Sequence, residues 1–225
     1  MIIVTGASRG LGKAITERLI EKGEKVIGLA RSVNGLDIKS IKCDVSDYNS
    51  VKDAYRKVKL LKKPLKAFIN AAGVASMNMA VTTDKSTVQR LIQTNLVGTI
   101  YCSQLFAPIM LRQKKGSFIN FSTIAVSLAL KGESVYAASK AGVESFTRTF
   151  AREMSDFNVR VNCIAPGPIR TELLKGITNT QIEKIISQQI IPKQFQKSDV
   201  CDLVELLIDE KASSLSGQVL NVGGV

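Results

Sequence analysis

Few architectures accommodate an apolar strand that breaks into glycines and re-forms at once as a helix. Met1–Thr5 reads as a buried strand, Gly6-Ala7-Ser8-Arg9-Gly10-Leu11-Gly12 follows it directly, and Lys13–Lys22 then carries Ala14, Ile15 and Leu19 at helical spacing. The glycines permit a tight turn and close backbone approach, and a helix N-terminus offers free N–H groups to a pyrophosphate. The G-x-x-x-G-x-G spacing departs from the commoner G-x-G-x-x-G, but its strand–turn–helix context is the one that gives such a motif meaning.

The rest of the chain repeats this alternation. Lys25–Ala30 reads as a second strand and, after a short connection at Val33–Lys39, Ile41–Val45 as a third. Asn49–Leu60 reads as a helix, and Pro64 precedes a strand at Lys66–Asn70. Thr82 or Thr83 can cap a helix leading through Gln89 and Asn95 towards Leu111. Ser117–Phe121 is a further strand, a helix opened by Tyr136 continues to about Met154, and strand Asn158–Ile164 closes on Ala165-Pro166-Gly167-Pro168. Strands alternating with helices predict an α/β fold: a single-domain, Rossmann-type doubly wound parallel β-sheet with helices on both faces, spanning 1–225. A chain of 225 residues, 45% of them hydrophobic, can bury a core of that kind.

Composition narrows the function. The net charge of +12 fits a lysine-rich solvated surface, or an anionic partner such as a phosphorylated cofactor or an acidic carrier protein. Aromatic residues make up 5% and Trp is absent, so no basic segment alternates with stacking residues and nucleic acid is disfavoured. With no His and no C-x-x-C among Cys43, Cys102, Cys163 and Cys201, no zinc or haem pattern can be assembled, and reduced, buried thiols of a cytosolic protein are expected. Leu91–Leu111 lacks charge and is long enough to span a bilayer, but Gln93, Thr94, Asn95, Thr99, Ser103 and Gln104 interrupt it. A buried or subunit-contact helix, no membrane, and a cytoplasmic location are expected.

Two positions carry chemistry. Tyr136 and Lys140 lie one helical turn apart, and an ammonium near a phenol favours the phenolate; the pair is a candidate general acid/base. At the end of the second strand, where an NAD-preferring fold places a carboxylate, stands Ala30-Arg31-Ser32. Arg31, helped by Arg9, suits a ribose 2′-phosphate, although a surface arginine reads the same way. NADP(H) is therefore favoured over NAD(H).

Thr5–Gly12, Asn70-Ala71-Ala72-Gly73, Asn95, Tyr136-Ala137-Ala138-Ser139-Lys140 and Pro166-Gly167, with the ending Leu215–Gly224, resemble the short-chain dehydrogenase/reductases, nearest to 3-oxoacyl-acyl-carrier-protein reductase-like members. The resemblance covers almost the whole chain. It implies that Tyr136 passes the proton, that Lys140 holds the nicotinamide ribose and lowers the Tyr136 pKa, and that Asn95 places a water. It implies a cofactor site at Gly6, Ser8, Arg9, Gly10, Leu11, Gly12 and Arg31. Asp44 and Val45 would border the adenine, and Asn70, Ala71 and Gly73 would flank the adenosine ribose. Pro166, Gly167, Ile169 and Thr171 would hold the carboxamide beside Tyr136 and Lys140. A homotetramer or homodimer, with Leu91–Leu111 and Tyr136–Met154 between subunits, is implied as well.

Three departures stand out. The family's catalytic serine, thirteen residues before its tyrosine, is Thr123 here, and Ser122 is out of register by one. The Val33–Lys39 connection is too short for a full helix, which predicts an open adenine side, and Asn-Asn-Ala-Gly is replaced by Asn70-Ala71-Ala72-Gly73. Thr171–Ile190 is the expected substrate lid; its Leu173, Leu174, Ile177, Ile182, Ile185 and Ile186 suit an apolar substrate or simply pack a short helix. Arg112, Lys114 and Lys115 suit an acyl carrier protein, or merely complement a helix C-terminus. Three functions remain open: an NADPH-dependent reductase of a carbonyl such as a 3-oxoacyl thioester, an NAD(P)-dependent dehydrogenase of another alcohol, sugar or small ketone, and a non-catalytic nucleotide-binding regulator.

Overall fold

The computed structural model describes residues 1–33, 38–174 and 177–225. The middle of the Val33–Lys39 connection, at 34–37, and the part of the lid at 175–176 lie outside the described residues. Seven parallel strands form one sheet in the order β3-β2-β1-β4-β5-β6-β7. They are β1 (Ile2–Thr5), β2 (Val26–Ala30), β3 (Ser40–Lys42), β4 (Ala67–Asn70), β5 (Gly116–Phe121), β6 (Val159–Ala165) and β7 (Val219–Asn221). The inner strands are short continuous apolar runs because both of their faces are covered.

Alternation along each strand sorts the core into two layers. Ile3, Phe68 and Phe118 point to one face, where they meet α2 (Tyr48–Lys59), α4 (Gly98–Gln113) and α6 (Ser134–Met154) through Val51, Phe106, Met110 and Phe150. Ile2, Val4, Ile69 and Ile119 point to the other, against α1 (Gly10–Glu21) and α8 (Lys197–Ile208) through Ile15, Leu19, Val200 and Val204. Chain order reverses between β1 and β4, which opens a crevice at their C-terminal ends.

Several boundaries differ from the sequence expectation. α1 begins at Gly10 rather than Lys13, and β3 ends at Lys42, so Cys43, Asp44 and Val45 form the loop beyond it. Asp84 caps α3 (Lys85–Ile92), its carboxylate accepting from Thr87 N at 2.9 Å. Thr82 and Thr83 cannot do so, because both hydroxyls donate to the Met79 carbonyl. The segment towards Leu111 is not one regular helix: a π-helical turn at Gln93–Val97 separates α3 from α4. No helix among the described residues is long and apolar enough to cross a membrane. The short helix α5 (Ala125–Leu128) follows Thr123, and α7 (Asn179–Ile186) forms within the lid, held by a Thr178–Gln181 capping box.

Candidate active site

A cleft of about 610 Å³ lies over the C-terminal ends of the strands. One end is the β1–α1 turn. Gly6 (φ +68°) and Gly10 (φ +59°) adopt left-handed backbone there, and a Cβ on Gly12 would stand 2.4 Å from the Gly6 carbonyl oxygen. The N-terminus of α1 has neither a capping side chain nor an acid in its first turn, so its amides remain available to an anion. Ser8, Arg9, Leu11, Arg31, Asp44 and Val45 line this end. Arg9 and Arg31 are exposed and have no ion pair among the described residues. These features fit the pyrophosphate and ribose of a dinucleotide. The lid reaches over the same turn: Glu172 Oε2 stands 3.7 Å from where a Gly10 Cβ would be.

The other end carries the acid/base candidates. Ser122, Thr123, Tyr136 and Lys140 all line it, Gly73 lies beside Lys140, Ala71 lies against Gly6 and Thr171 against Gly10, and Pro166, Gly167 and Ile169 complete the lining. Strand alternation separates the two hydroxyls after β5. Ser122 Oγ turns towards α6 and donates to Glu144 Oε1 at 2.7 Å, whereas the Thr123 hydroxyl hydrogen-bonds the Tyr136 phenol. Thr123, the position in register, therefore sits beside the tyrosine.

The expected lowering of the Tyr136 pKa by Lys140 is not what the structure shows. Burial pushes the phenol up, the Glu133 charge adds to this, and the Thr123 hydrogen bond opposes it. The Lys140 ammonium donates instead to the Phe121 carbonyl at 2.8 Å, and its own pKa is lowered to about 8 by burial. The phenol is thus protonated at neutral pH.

Two expected site residues are not in the cleft lining. Asn70 is 3% exposed, and its amide nitrogen donates to Asn120 Oδ1 (2.8 Å) and Ser103 Oγ (3.3 Å), tying β4 to β5 and α4. Asn95 is wholly buried; its oxygen accepts from Val74 N (2.8 Å), and its nitrogen donates to Val74 O (2.9 Å) and Ser139 Oγ (3.0 Å). With those groups engaged, Asn95 fixes the Gly73–Val74 loop beside Lys140, since a Cβ on Gly73 would lie 3.5 Å from Lys140 Nζ. The carrier-docking residues are also misplaced. Arg112, Lys114 and Lys115 precede β5, whose six residues put them roughly 20 Å from Thr123 at the far end of the sheet, and Lys115 is paired with Glu210.

Sequence reasoning passed over Glu133, which lines the cleft one turn before Tyr136, and the apolar wall of Val74, Ala75 and Leu130. The lid alternatives merge: Leu173, Leu174, Ile177, Ile182 and Ile185 wall the cleft, and Ile182 and Ile185 are buried in doing so.

The short chain dehydrogenase family model matches residues 1–182. The chain belongs to that family. It is accordingly a nicotinamide-dependent oxidoreductase acting on CH–OH or carbonyl groups. It is 31% identical to a Staphylococcus aureus 3-oxoacyl-(acyl-carrier-protein) reductase, over 99% of this chain and 96% of the relative, and 29% identical to the Escherichia coli protein of that name, over 99% and 95%. Among solved structures it resembles ligand-free Thermoplasma acidophilum aldohexose dehydrogenase, with a TM-score of 0.89 and 30% identity over 99% of this chain and 92% of that one. It also resembles 4-hydroxyisoleucine dehydrogenase complexed with NADH, with a TM-score of 0.91 and 27% identity over 99% and 97%.

Proposed function

We propose that this short-chain dehydrogenase reduces a substrate carbonyl with NADPH, and that Tyr136 gives the proton. The observation that carries the reading is the convergence of Thr123, Tyr136 and Lys140 on one end of a cleft whose other end is the glycine turn. A bound nicotinamide dinucleotide would supply the hydride to the carbonyl carbon. The buried, protonated phenol gives its proton to the carbonyl oxygen as that oxygen gains charge. The Thr123 hydroxyl, donating to the phenol oxygen, stabilises the phenolate left when the proton has gone. Lys140, held by the Phe121 carbonyl, provides a positive charge behind the reaction centre. The lid and the apolar walls exclude water.

Preference for the 2′-phosphorylated cofactor is supported by Arg31 and Arg9 at the adenosine end and by the absence of a carboxylate at the end of β2. A 3-oxoacyl thioester is supported by the names of the curated relatives and by the apolar lid wall. A carrier protein would have to dock at the mouth of the cleft, because Arg112, Lys114 and Lys115 lie at the far end of the sheet. Assembly as a homotetramer through α4 and α6 belongs to the same reading, supported by the half-buried Tyr101, Leu105, Ile109 and Phe146.

Tyr136→Phe tests the proposal. Turnover of any accepted carbonyl, followed by nicotinamide absorbance, is expected to fall by about 10²–10⁴-fold. Cofactor affinity, measured by fluorescence titration, is expected to stay within about threefold, since the ring still packs. Turnover that survives the change would remove Tyr136 as the acid.

A further inference from the structure

We infer that Glu133 selects the substrate by accepting a hydrogen bond from a hydroxyl next to the reacting carbon. The cleft would then take a neutral hydroxy-carbonyl, or the corresponding vicinal diol, in preference to an unsubstituted ketone, an oxo acid or an oxoacyl thioester. The inference rests on the carbonyl and alcohol chemistry proposed above and names a substrate class for that same site in place of the thioester that the relatives' names suggest.

Glu133 occupies the N-cap position of α6, where an acidic side chain ordinarily accepts from the second or third backbone amide. It makes no such bond. Its backbone carbonyl accepts from Ala137 N at 2.6 Å, and the residue lines the cleft. The residue is 8% exposed, and its side chain has no hydrogen bond or ion pair among the described residues. Its charge is felt at the Tyr136 phenol, which places it beside the acid that serves the reacting oxygen.

The Glu133 carboxyl group meets water only through the cleft, so a ligand that fills the cleft takes that water away, and a donor brought by the ligand offsets the loss. Val74, Ala75 and Leu130 on this wall are apolar, and among the described residues none of the neighbouring donors Thr123, Tyr136 and Lys140 makes a hydrogen bond to the Glu133 carboxyl group. Two substrate types fit poorly. A carboxylate next to the carbonyl would meet a like charge. An unsubstituted ketone or an oxoacyl thioester presents only acceptors near the carbonyl and would leave Glu133 buried and unpaired. A site built to bond a hydroxyl discriminates strongly against analogues lacking it.

The test compares kcat/KM for acetoin, butanone, 2-oxobutanoate and an acetoacetyl thioester with NADPH and NADH, in the wild-type chain, Glu133→Leu and Glu133→Gln. Wild type is expected to prefer acetoin over butanone by about tenfold or more. Glu133→Leu should bring that ratio to within about twofold by losing acetoin rather than gaining butanone. Glu133→Gln keeps an accepting oxygen without the charge, so it should retain the acetoin preference while admitting 2-oxobutanoate. If Glu133→Leu does not fold, the wild-type ratio and the Glu133→Gln pattern decide the matter. Equal constants for acetoin and butanone in wild type, an unchanged ratio in Glu133→Leu, or a thioester preferred to acetoin would each overturn the assignment while leaving the oxidoreductase reading standing. No turnover of any carbonyl with either cofactor would overturn both.

Discussion

Whereas the end of the cleft around Gly6–Gly12 is walled by backbone, the end around Tyr136 is walled by side chains from β5, α6 and the lid. At the first, left-handed glycines and a 2.4 Å approach leave no room for a Cβ, so the shape is fixed by main-chain path. At the second, the geometry depends on which way each side chain turns: Thr123 towards the phenol, Ser122 towards Glu144, Lys140 towards a carbonyl. A backbone-built end suits an invariant part such as a pyrophosphate. A side-chain-built end can change its substrate without disturbing the sheet.

The contrast breaks most easily at Gly12. In Gly12→Ala the new methyl meets the Gly6 carbonyl, which cannot swing aside as a side chain could. Overpacking of this kind is expected to cost about 1–3 kcal/mol, read as a lowered melting temperature, and to weaken cofactor binding by well over tenfold. Gly73→Ala provides the comparison. Its Cβ would meet only the tips of Asn95 and Lys140, at 3.4 and 3.5 Å, so the fold should survive with at most a small loss. Equal tolerance at the two glycines would show that the turn is not the rigid end.

The hydroxyl pair sharpens the other side. Thr123→Ala removes the partner of the phenol and is expected to lower kcat by about 10²-fold, while Thr123→Ser should stay within a few-fold of wild type. Ser122→Ala leaves Glu144 short of a donor but still beside Arg148, so it should cost about 1 kcal/mol of stability with kcat kept. The reverse pattern would mean that Ser122 serves the reaction. At the adenosine end, Arg31→Ala should reduce NADPH preference over NADH by about tenfold, a modest effect because the guanidinium is exposed.

The same division explains what the sequence made legible. Strands such as Ile2–Thr5 and Ala67–Asn70 are continuous apolar runs, and a turn that only glycine can make announces itself, so the sheet and the glycine turn were readable. Side-chain direction was not. Asn70 and Asn95 stand in recognisable motifs, yet their amides are spent on Asn120 and on the Val74 backbone, choices made by neighbours distant in sequence. Asp84 displaced Thr82 and Thr83 as a cap because Met79 claims both hydroxyls, a bond that depends on the path of a loop. Glu133 could have been found: an acid one turn before the tyrosine is visible in the sequence, though its failure to cap the helix is not. The helix α8 also carried a plain stripe, Val200, Val204 and Leu207, outside the family motifs.

The least disruptive probe uses pH rather than activity. Lys140 is 5% exposed and its pKa falls from an ordinary 10.5 to about 8 on folding, with burial the leading cause. Below about pH 8 the lysine is charged in the folded and unfolded chains alike, and folding carries the full cost of burying that charge. Between about pH 8 and 10.5 the unfolded chain holds a proton that the folded one has lost, so folding stability rises with pH through this window on account of Lys140. Lys140→Met removes the titration while keeping much of the side-chain volume. Urea unfolding of the cofactor-free protein at pH 7.5 and pH 10 should therefore show wild type gaining stability relative to Lys140→Met, by about 1–3 kcal/mol. Other titrating groups are shared by the two proteins and cancel. A constant difference across the window would mean that water reaches the ammonium, and that the Tyr136 end is softer than its packing implies.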